Sequence, residues 1–500
     1  MAQHQLIAAF HDAWQEAGRG GAIALADPAE AFTYAELFAA VGQLAGRLRA
    51  AGVDTGDRVA ITLDRSARLA IAVLAVMTAG ACPCPLEPGL GRDETRRRFA
   101  LARLDRVLGD ASHLADPALF DMPAECRLDI EALPHAGSHW ALDLADDAPG
   151  FLLFTSGSSG KPKGVLQSHR GLLTNTLGVI AHTGLDCDDR LLHVMPLHHT
   201  NGVNNQIIAP LLAGASVFIA PRFRAEEMPA WLERVRPTIL TGVPTMYSRM
   251  LPLDFTPGSL AALRMLRCGS APITAELHRR IEAKFERPLI VSYGLSEATC
   301  TSTMNPPDAR KLGSVGTVLA GQQIRIEAPD GSSIDGPDRD GEICIAGPTL
   351  MLGYLVKGSG GAAEPPGDRV RTGDLGRLDA EGFLFITGRL KDVIIRGGEN
   401  LSPQLIEDVL CEVEGVAASC VVGRPHDDLG EEPVAFVVRR PEGSRRAADA
   451  ESLGRIVAKK LSRIHQPVQF FFVDALPENS VGKVDRKVLS VWARARSPFV

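Results

Sequence analysis

The chain has no apolar run close to the roughly 20 residues that a membrane-spanning helix needs. Nor does it have a lysine or arginine block of the kind that marks nucleic-acid binding. Neither membrane insertion nor a nucleic-acid partner is expected. Acidic residues exceed basic ones, 60 to 53, so any anion site must be a local concentration of donors on a mildly negative chain. The nine cysteines are an odd number, and the closest two, Cys82 and Cys84, alternate with prolines instead of standing at metal or redox spacing. Free thiols in a reducing cytoplasm are expected. The opening MAQHQLIAAFHDAW has no positive n-region and carries His and Asp in its short apolar stretch, which fits neither a signal nor a transit peptide. No internal repeat is visible.

What is present is ample apolar material, 45% of 500 residues, enough for two to four domains. Within it, residues 155–165 read TSGSSGKPKGV, directly after the apolar run 151–154. Glycines let a backbone approach an anion closely, and Thr155, Ser156, Ser158, Ser159, Lys161 and Lys163 supply donors and charge around Gly157 and Gly160. This composition suits a phosphate cradle. It is not the Walker loop, because Gly157 and Gly160 are three apart and Lys161 is followed by Pro162. A Gly/Ser linker is the plainer alternative.

Periodicity predicts a helix over 33–52, with Thr33 and Glu36 at capping-box spacing, then a strand at 58–63 and a helix at 67–78. The following CPCPLEPG reads as turn-rich. Alternating strand and helix patterns continue to residue 292 and predict an α/β body. After about residue 311, short strand-like runs at 323–327, 342–346 and 383–387 suit a β-rich subdomain, and 357–369 reads as a surface loop. From about 391, helix-like 403–413 and 452–461 alternate with strand-like 417–422, 433–439 and 469–473, as in a small α+β domain.

Further motifs follow in order: SYGLSEAT at 292–299, RTGDLGRLD at 371–379, GRLKDVIIRGGENLSP at 388–403 and LPENSVGKVDRK at 476–487. With 155–165, these five stretches resemble the adenylate-forming superfamily, which includes acyl-CoA ligases, peptide-synthetase adenylation domains and firefly luciferase. The resemblance covers about residues 30–490 and points to the acyl/aryl-CoA ligase branch. It implies a large N-terminal domain, 1–388, of two α/β-layered sheets plus a small β-barrel-like subdomain at about 311–388. A hinge at 389–391 and a small mobile α+β C-terminal domain, 392–500, would follow. The implied reaction uses ATP, Mg2+ and coenzyme A to turn a carboxylic acid into acyl-AMP and then acyl-CoA, releasing pyrophosphate and AMP.

Charge builds on phosphate oxygens beside a carboxylate during such a reaction, so positive charge is needed there. By resemblance, Lys483 in VGKVDR bridges the acyl carboxylate and the α-phosphate. At about 4 Å and an effective dielectric near 20, one such pair contributes on the order of 4 kcal/mol before desolvation. Glu297, with Thr155, would hold Mg2+. Tyr293 would flank the adenine alongside Ser292, Gly294 and the loop Gly269, Ser270, Ala271 and Pro272, with Ser296 near the α-phosphate. Asp374 would accept from the ribose hydroxyls with Arg389 as its partner. Lys391 is the hinge residue, and Gly397, Gly398 and Glu399 would line the pantetheine tunnel, though a plain glycine turn fits them too.

His199 in PLHHTNG would flank the acyl carboxylate, with His198 where the family has an aromatic residue. Amino-acid-activating relatives place an Asp in this region, but none occurs between Pro196 and Leu212, so a free α-amino acid is disfavoured. The expected pocket wall of Asn201, Asn204, Asn205, Val243, Met246, Gly294, Leu295 and Thr299 suits an acid with an apolar frame and one or two polar substituents. A carrier-protein thiol as acceptor, a single half-reaction and a non-catalytic nucleotide binder are the alternatives. A homodimer is among the assemblies open to such a chain.

Overall fold

The computed structural model describes residues 5–16, 18–87, 89–116, 120, 122–156, 162–356, 361–440, 449–478 and 483–495. Among them no helix is long and apolar enough to cross a membrane. All nine cysteines are free, as their spacing predicts.

The α/β body is built on two sheets. In the larger, nine-stranded one, Arg190–His193, Ile239–Gly242, Met265–Cys268 and Leu289–Tyr293 are neighbouring parallel strands. Each is buried on both faces, which is why each reads as a short apolar run without alternation. Helix Ala275–Phe285 covers one face together with Tyr247 and Met250, while His169–Thr183 packs on the other through Val179. Loops leaving the carboxyl ends of these strands carry the expected nucleotide and acyl residues, the position where open parallel sheets bind ligands.

The second sheet is parallel, in the order Cys82–Pro85, Arg58–Thr62, Arg106–Gly109 and Arg127–Asp129. Its first member corrects the turn reading of CPCPLEPG, since Val59 opposes Pro83 and Ile61 opposes Pro85 in register. Proline is tolerated because this is an edge strand, with no ladder needed on its outer side. Helix Tyr34–Ala50 begins at Thr33 with the capping box that its sequence predicts.

The β-rich subdomain is an antiparallel sheet of Gln323–Glu327, Gly341–Ala346, Arg369–Leu378 and Leu384–Arg389. Beside it, Pro149–Ser156 and Pro162–Ser168 form a hairpin joined by Gly353–Leu355. The C-terminal unit has its own five-stranded sheet and its own cores, one around Ile406, Leu410 and Leu453 and one around Phe436 and Leu489. Residues 357–360 of the expected surface loop lie outside the described residues.

Candidate active site

Asp374 and Arg389 face each other in register across adjacent antiparallel strands. Arg389 donates to Asp374 through Nε, and through Nη2 at 3.4 Å, while the Tyr293 hydroxyl donates to Asp374 Oδ2 at 2.8 Å. Asp374 is only 4% exposed. Its approach is shaped by Gly373 at φ +71°, and its backbone N–H donates to Thr372 Oγ1. Burial drives the Tyr293 phenol well above its ordinary range, with the Asp374 carboxylate adding to the effect.

Lys483 comes from the far end of the chain to this pair. Burial lowers its pKa from 10.5, Arg389 lowers it further and Asp374 opposes both. The same ammonium acts on His199, whose pKa is pushed down to about 3 by burial first, then by His198 and Lys483. Lys483 therefore lies between the Asp374–Arg389 pair and His199. His199 precedes the helical turn Thr200–Val203, its Nε2 is buried and has no hydrogen-bond partner among the described residues, and its ring centroid is 4.5 Å from that of His198. Both imidazoles are neutral at pH 7, so they bring polarity to the pocket without charge.

At the phosphate end, Thr155 opposes Lys163 across the hairpin. Gly157, Ser158, Ser159, Gly160 and Lys161 lie outside the described residues, as does the Ser156 side chain. Lys163 Nζ is 4.6 Å from the centroid of the Tyr354 ring, whose hydroxyl donates to Glu297 Oε1 at 2.8 Å. Tyr354 thus ties the cradle's lysine to the acid of the SYGLSEAT stretch. Sequence reasoning missed it; an aromatic directly after a glycine in the short run 353–355 was its only signal. Tyr354→Phe is expected to raise the KM for ATP about fivefold, roughly 1 kcal/mol for one hydrogen bond, with little change in melting temperature. Steady-state kinetics with ATP varied will check it.

The glycines of the adenine side are required by space. A Cβ on Gly269 would stand 2.7 Å from Ser292 Oγ, and one on Gly294 only 2.0 Å from the Cys300 carbonyl oxygen. Ser270 adopts φ +67°, Ala271 is half-buried and Pro272 is exposed. The Ser296 carbonyl accepts from Gln167 Nε2 at 2.8 Å, a buried brace that also reaches the carbonyl of Thr299.

The residues expected to line the acyl pocket fall into two groups. Asn205 Nδ2 donates to Thr301 Oγ1 at 2.8 Å and to Asn201 Oδ1 at 3.2 Å, and Asn201 Nδ2 reaches Ser270 Oγ at 3.3 Å. These two amides run from the His199 end toward the sheet. Residues Asn204–Ile208 form a π-helical turn, a widening found often at functional sites. Val243, fully buried, and Met246 lie at the entry to helix Pro244–Met250, and Leu295 packs with the β-rich subdomain.

Two expectations need correction. Asn204 is fully buried, donates to Asn175 Oδ1 at 2.8 Å and accepts from Thr176 Oγ1 at 3.1 Å, so it clamps helix to helix and is no part of the wall. Thr299, at φ +70° and fully buried, donates to the Thr349 carbonyl at 2.6 Å and sits behind the pocket.

Lys391 is exposed on the turn Leu390–Asp392, and Gly397 and Gly398 take φ +58° and +85° in the tight turn before Glu399–Leu401. All three, with Glu399, stand in solvent while Lys483 is drawn in. The face of the C-terminal unit turned to the body is the one that carries Lys483. Ion pairs Arg249–Glu478 at 2.7 Å and Arg440–Glu276 at 3.7 Å span the two units in this arrangement.

Family models for the AMP-binding enzyme and for its C-terminal domain match residues 12–355 and 405–483. The chain is 34% identical to the sulfoacetate–CoA ligase of Cupriavidus necator, over 92% of each protein. It is also 34% identical to the indoleacetate–CoA ligase of Aromatoleum aromaticum, over 93% of this chain and 94% of that protein. The crystal structure of ATP-bound MatB from Rhodopseudomonas palustris superposes with a TM-score of 0.88 at 29% identity, covering 97% of this chain and 99% of that one. The chain therefore belongs to the AMP-binding enzymes, as an AMP-forming acid–thiol ligase that activates a carboxylic acid with ATP and passes the acyl group to coenzyme A.

Proposed function

We propose that Lys483 supplies the charge for adenylation and that the C-terminal unit, residues 392–500, turns about 389–391 to present Lys391 and the Gly397–Gly398 turn for thioester formation. The observation that carries this reading is the convergence of Lys483 on the Asp374–Arg389 pair and on His199. In the first step a carboxylate oxygen of the acid bonds to the α-phosphorus and the bond to pyrophosphate breaks. In the second the CoA sulfur bonds to the acyl carbon, its proton leaves, and AMP departs with the bridging oxygen. Thr155, Lys163 and the donors of 157–161 hold the β- and γ-phosphates, and Asp374 holds the ribose.

Glu297 keeps a second carboxylate oxygen beyond the one held by Tyr354, and with the Thr155 hydroxyl it offers hard oxygen donors that suit Mg2+. When bound there the ion offsets phosphate charge. Relatives of equal identity act on sulfoacetate and on indoleacetate, so overall similarity does not choose the acid. The neutral His199 and the Asn201–Asn205 stripe favour an acid with polar substituents over a plain alkyl chain. The test is an acid panel assayed for CoA-dependent AMP release, with product masses measured. A mass of acid plus CoA less water supports the reading; acid-dependent pyrophosphate exchange without that thioester overturns CoA as acceptor.

A further inference from the structure

Arg267 lies inside the strand Met265–Cys268 and is 2% exposed. Its Nε and Nη1 are buried, and among the described residues they have no hydrogen-bond partner. The contrast with Arg65 is instructive: that guanidinium, also deeply buried, donates to the carbonyls of Met195, Ala220 and His193. A buried cation with two of its three nitrogens left unpartnered is costly, so the fold retains Arg267 at a penalty that a ligand would offset.

Strand alternation fixes where Arg267 points. Leu266 and Cys268 pack with Tyr247 and Phe285 on one face, whereas Met265 packs with Val179 and Ile239 on the other, and Arg267 shares the face of Met265. Across the sheet it is in register with Thr241, whose Oγ1 is also buried without a partner. Its first electrostatic neighbour is the Cys300 thiol, which accepts from Thr301 Oγ1 at 3.8 Å. Asn205 Oδ1 is buried and unpartnered as well. A chain of polar groups therefore runs from Asn201 through Asn205, Thr301 and Cys300 to Arg267, and it ends on a positive charge.

The other charged groups that act on Arg267 do not neutralise it. Arg264 and Asp189 are bonded to each other at 2.6 Å, and Asp189 also accepts from Thr238. Tyr247 turns its hydroxyl to the carbonyls of Leu240 and Arg267. Burial brings the Arg267 pKa down to about 10, so the guanidinium still carries its charge at pH 7.

We infer that the acid taken by this enzyme carries a second anionic group, a carboxylate or sulfonate, which pairs with Arg267 at the closed end of the acyl pocket while the reacting carboxylate faces Lys483. The inference rests on the acyl pocket assigned above and names its substrate class. Arg267 would be a binding residue for specificity and would leave the reacting atoms untouched. A site built to bond a charged substituent discriminates strongly against the analogue that lacks it, because its own polar groups are then left unpaired.

The test uses the full-length enzyme with acids in sets of matched chain length: a plain alkanoate, its ω-carboxy counterpart and its ω-sulfo counterpart, with benzoate and carboxybenzoate as a rigid pair. CoA-dependent AMP release gives kcat/KM for each. The dianionic member is expected to exceed the plain acid by about 100-fold in at least one set, and the carboxy and sulfo arms report which anion is preferred. R267M, checked for folding by its melting curve, should bring that ratio to within about tenfold of unity, and R267K should restore part of it. Plain acids that match or exceed their dianionic counterparts throughout would overturn the inference with wild-type enzyme alone. So would an R267M variant that keeps the full preference. Absence of AMP release with every acid is a separate result that removes the ligase chemistry itself and the inference with it.

Discussion

Lys483→Ala is expected to lower acid-dependent pyrophosphate exchange by two to three decades while thioester formation from supplied acyl-AMP stays within a few-fold of wild type. The asymmetry follows from position. Lys483 acts on His199 and is itself acted on by the Asp374–Arg389 pair, and in the proposed reading its charge falls where negative charge accumulates during attack on the α-phosphorus. The second step makes less call on it, because there sulfur attacks the acyl carbon of a mixed anhydride and the phosphorus keeps its existing bonds. Lys391→Pro should show the reverse, since a fixed φ and a missing N–H at the turn Leu390–Asp392 hinder the rearrangement that brings the Gly397–Gly398 turn into use. Both half-reactions can be measured separately, one by exchange of labelled pyrophosphate and one by CoA consumption with chemically prepared acyl-AMP. Equal loss of both half-reactions in both variants would rule out a rotating C-terminal unit.

Asp374→Asn should be nearly as damaging, for two separable reasons. The carboxylate offers charge-assisted acceptance to the ribose hydroxyls, and losing that charge costs about 1.5 to 3 kcal/mol, or roughly 10- to 100-fold in kcat/KM for ATP. It is also the group that holds the Lys483 pKa up against burial and Arg389. Without it the lysine loses its proton at lower pH. Because adenylation needs the protonated ammonium, activity falls as pH rises through the Lys483 pKa, and the variant should show its alkaline limb displaced to lower pH. A pH profile of pyrophosphate exchange for both proteins will check the direction. An alkaline limb that stays in place, or moves upward, would mean that a group other than Lys483 governs it.

Much of this architecture was legible in the residues. The capping box at Thr33 and Glu36, the strand Gln469–Val473 and the helix Ala67–Thr78 fall where local pattern puts them, because each is decided by neighbours a few residues away. The glycines at 269 and 294 were legible only as members of motifs, and it is the structure that shows neither position has room for a Cβ. Cys82–Pro85 was not legible as a strand, since two prolines signal a turn locally and only the sheet shows that this segment is an edge.

Adjacent asparagines make the point at the site. Asn204 and Asn205 are alike in sequence, yet in the π-helical turn one is spent on Asn175 and Thr176 while the other faces Asn201 and Thr301. A one-residue difference in helical phase separates packing from pocket, and the composition of the stretch carries no information about phase. Arg267 left a trace, a lone arginine within the apolar strand MLRC, but its meaning depends on the absence of a partner.

By itself the sequence determined the family and its chemistry, because those rest on short motifs whose donors and glycines act through local backbone geometry. The same holds for the order of elements, set by hydrophobic period and caps. Only the tertiary structure decided which side chains meet: Lys483 with Asp374 and His199, Tyr354 with Glu297 and Lys163, and Arg267 with, among the described residues, no ion pair to an acid. The reason is physical. Desolvation and Coulomb interaction depend on distance through space, and separation along the chain does not fix that distance until every layer has packed.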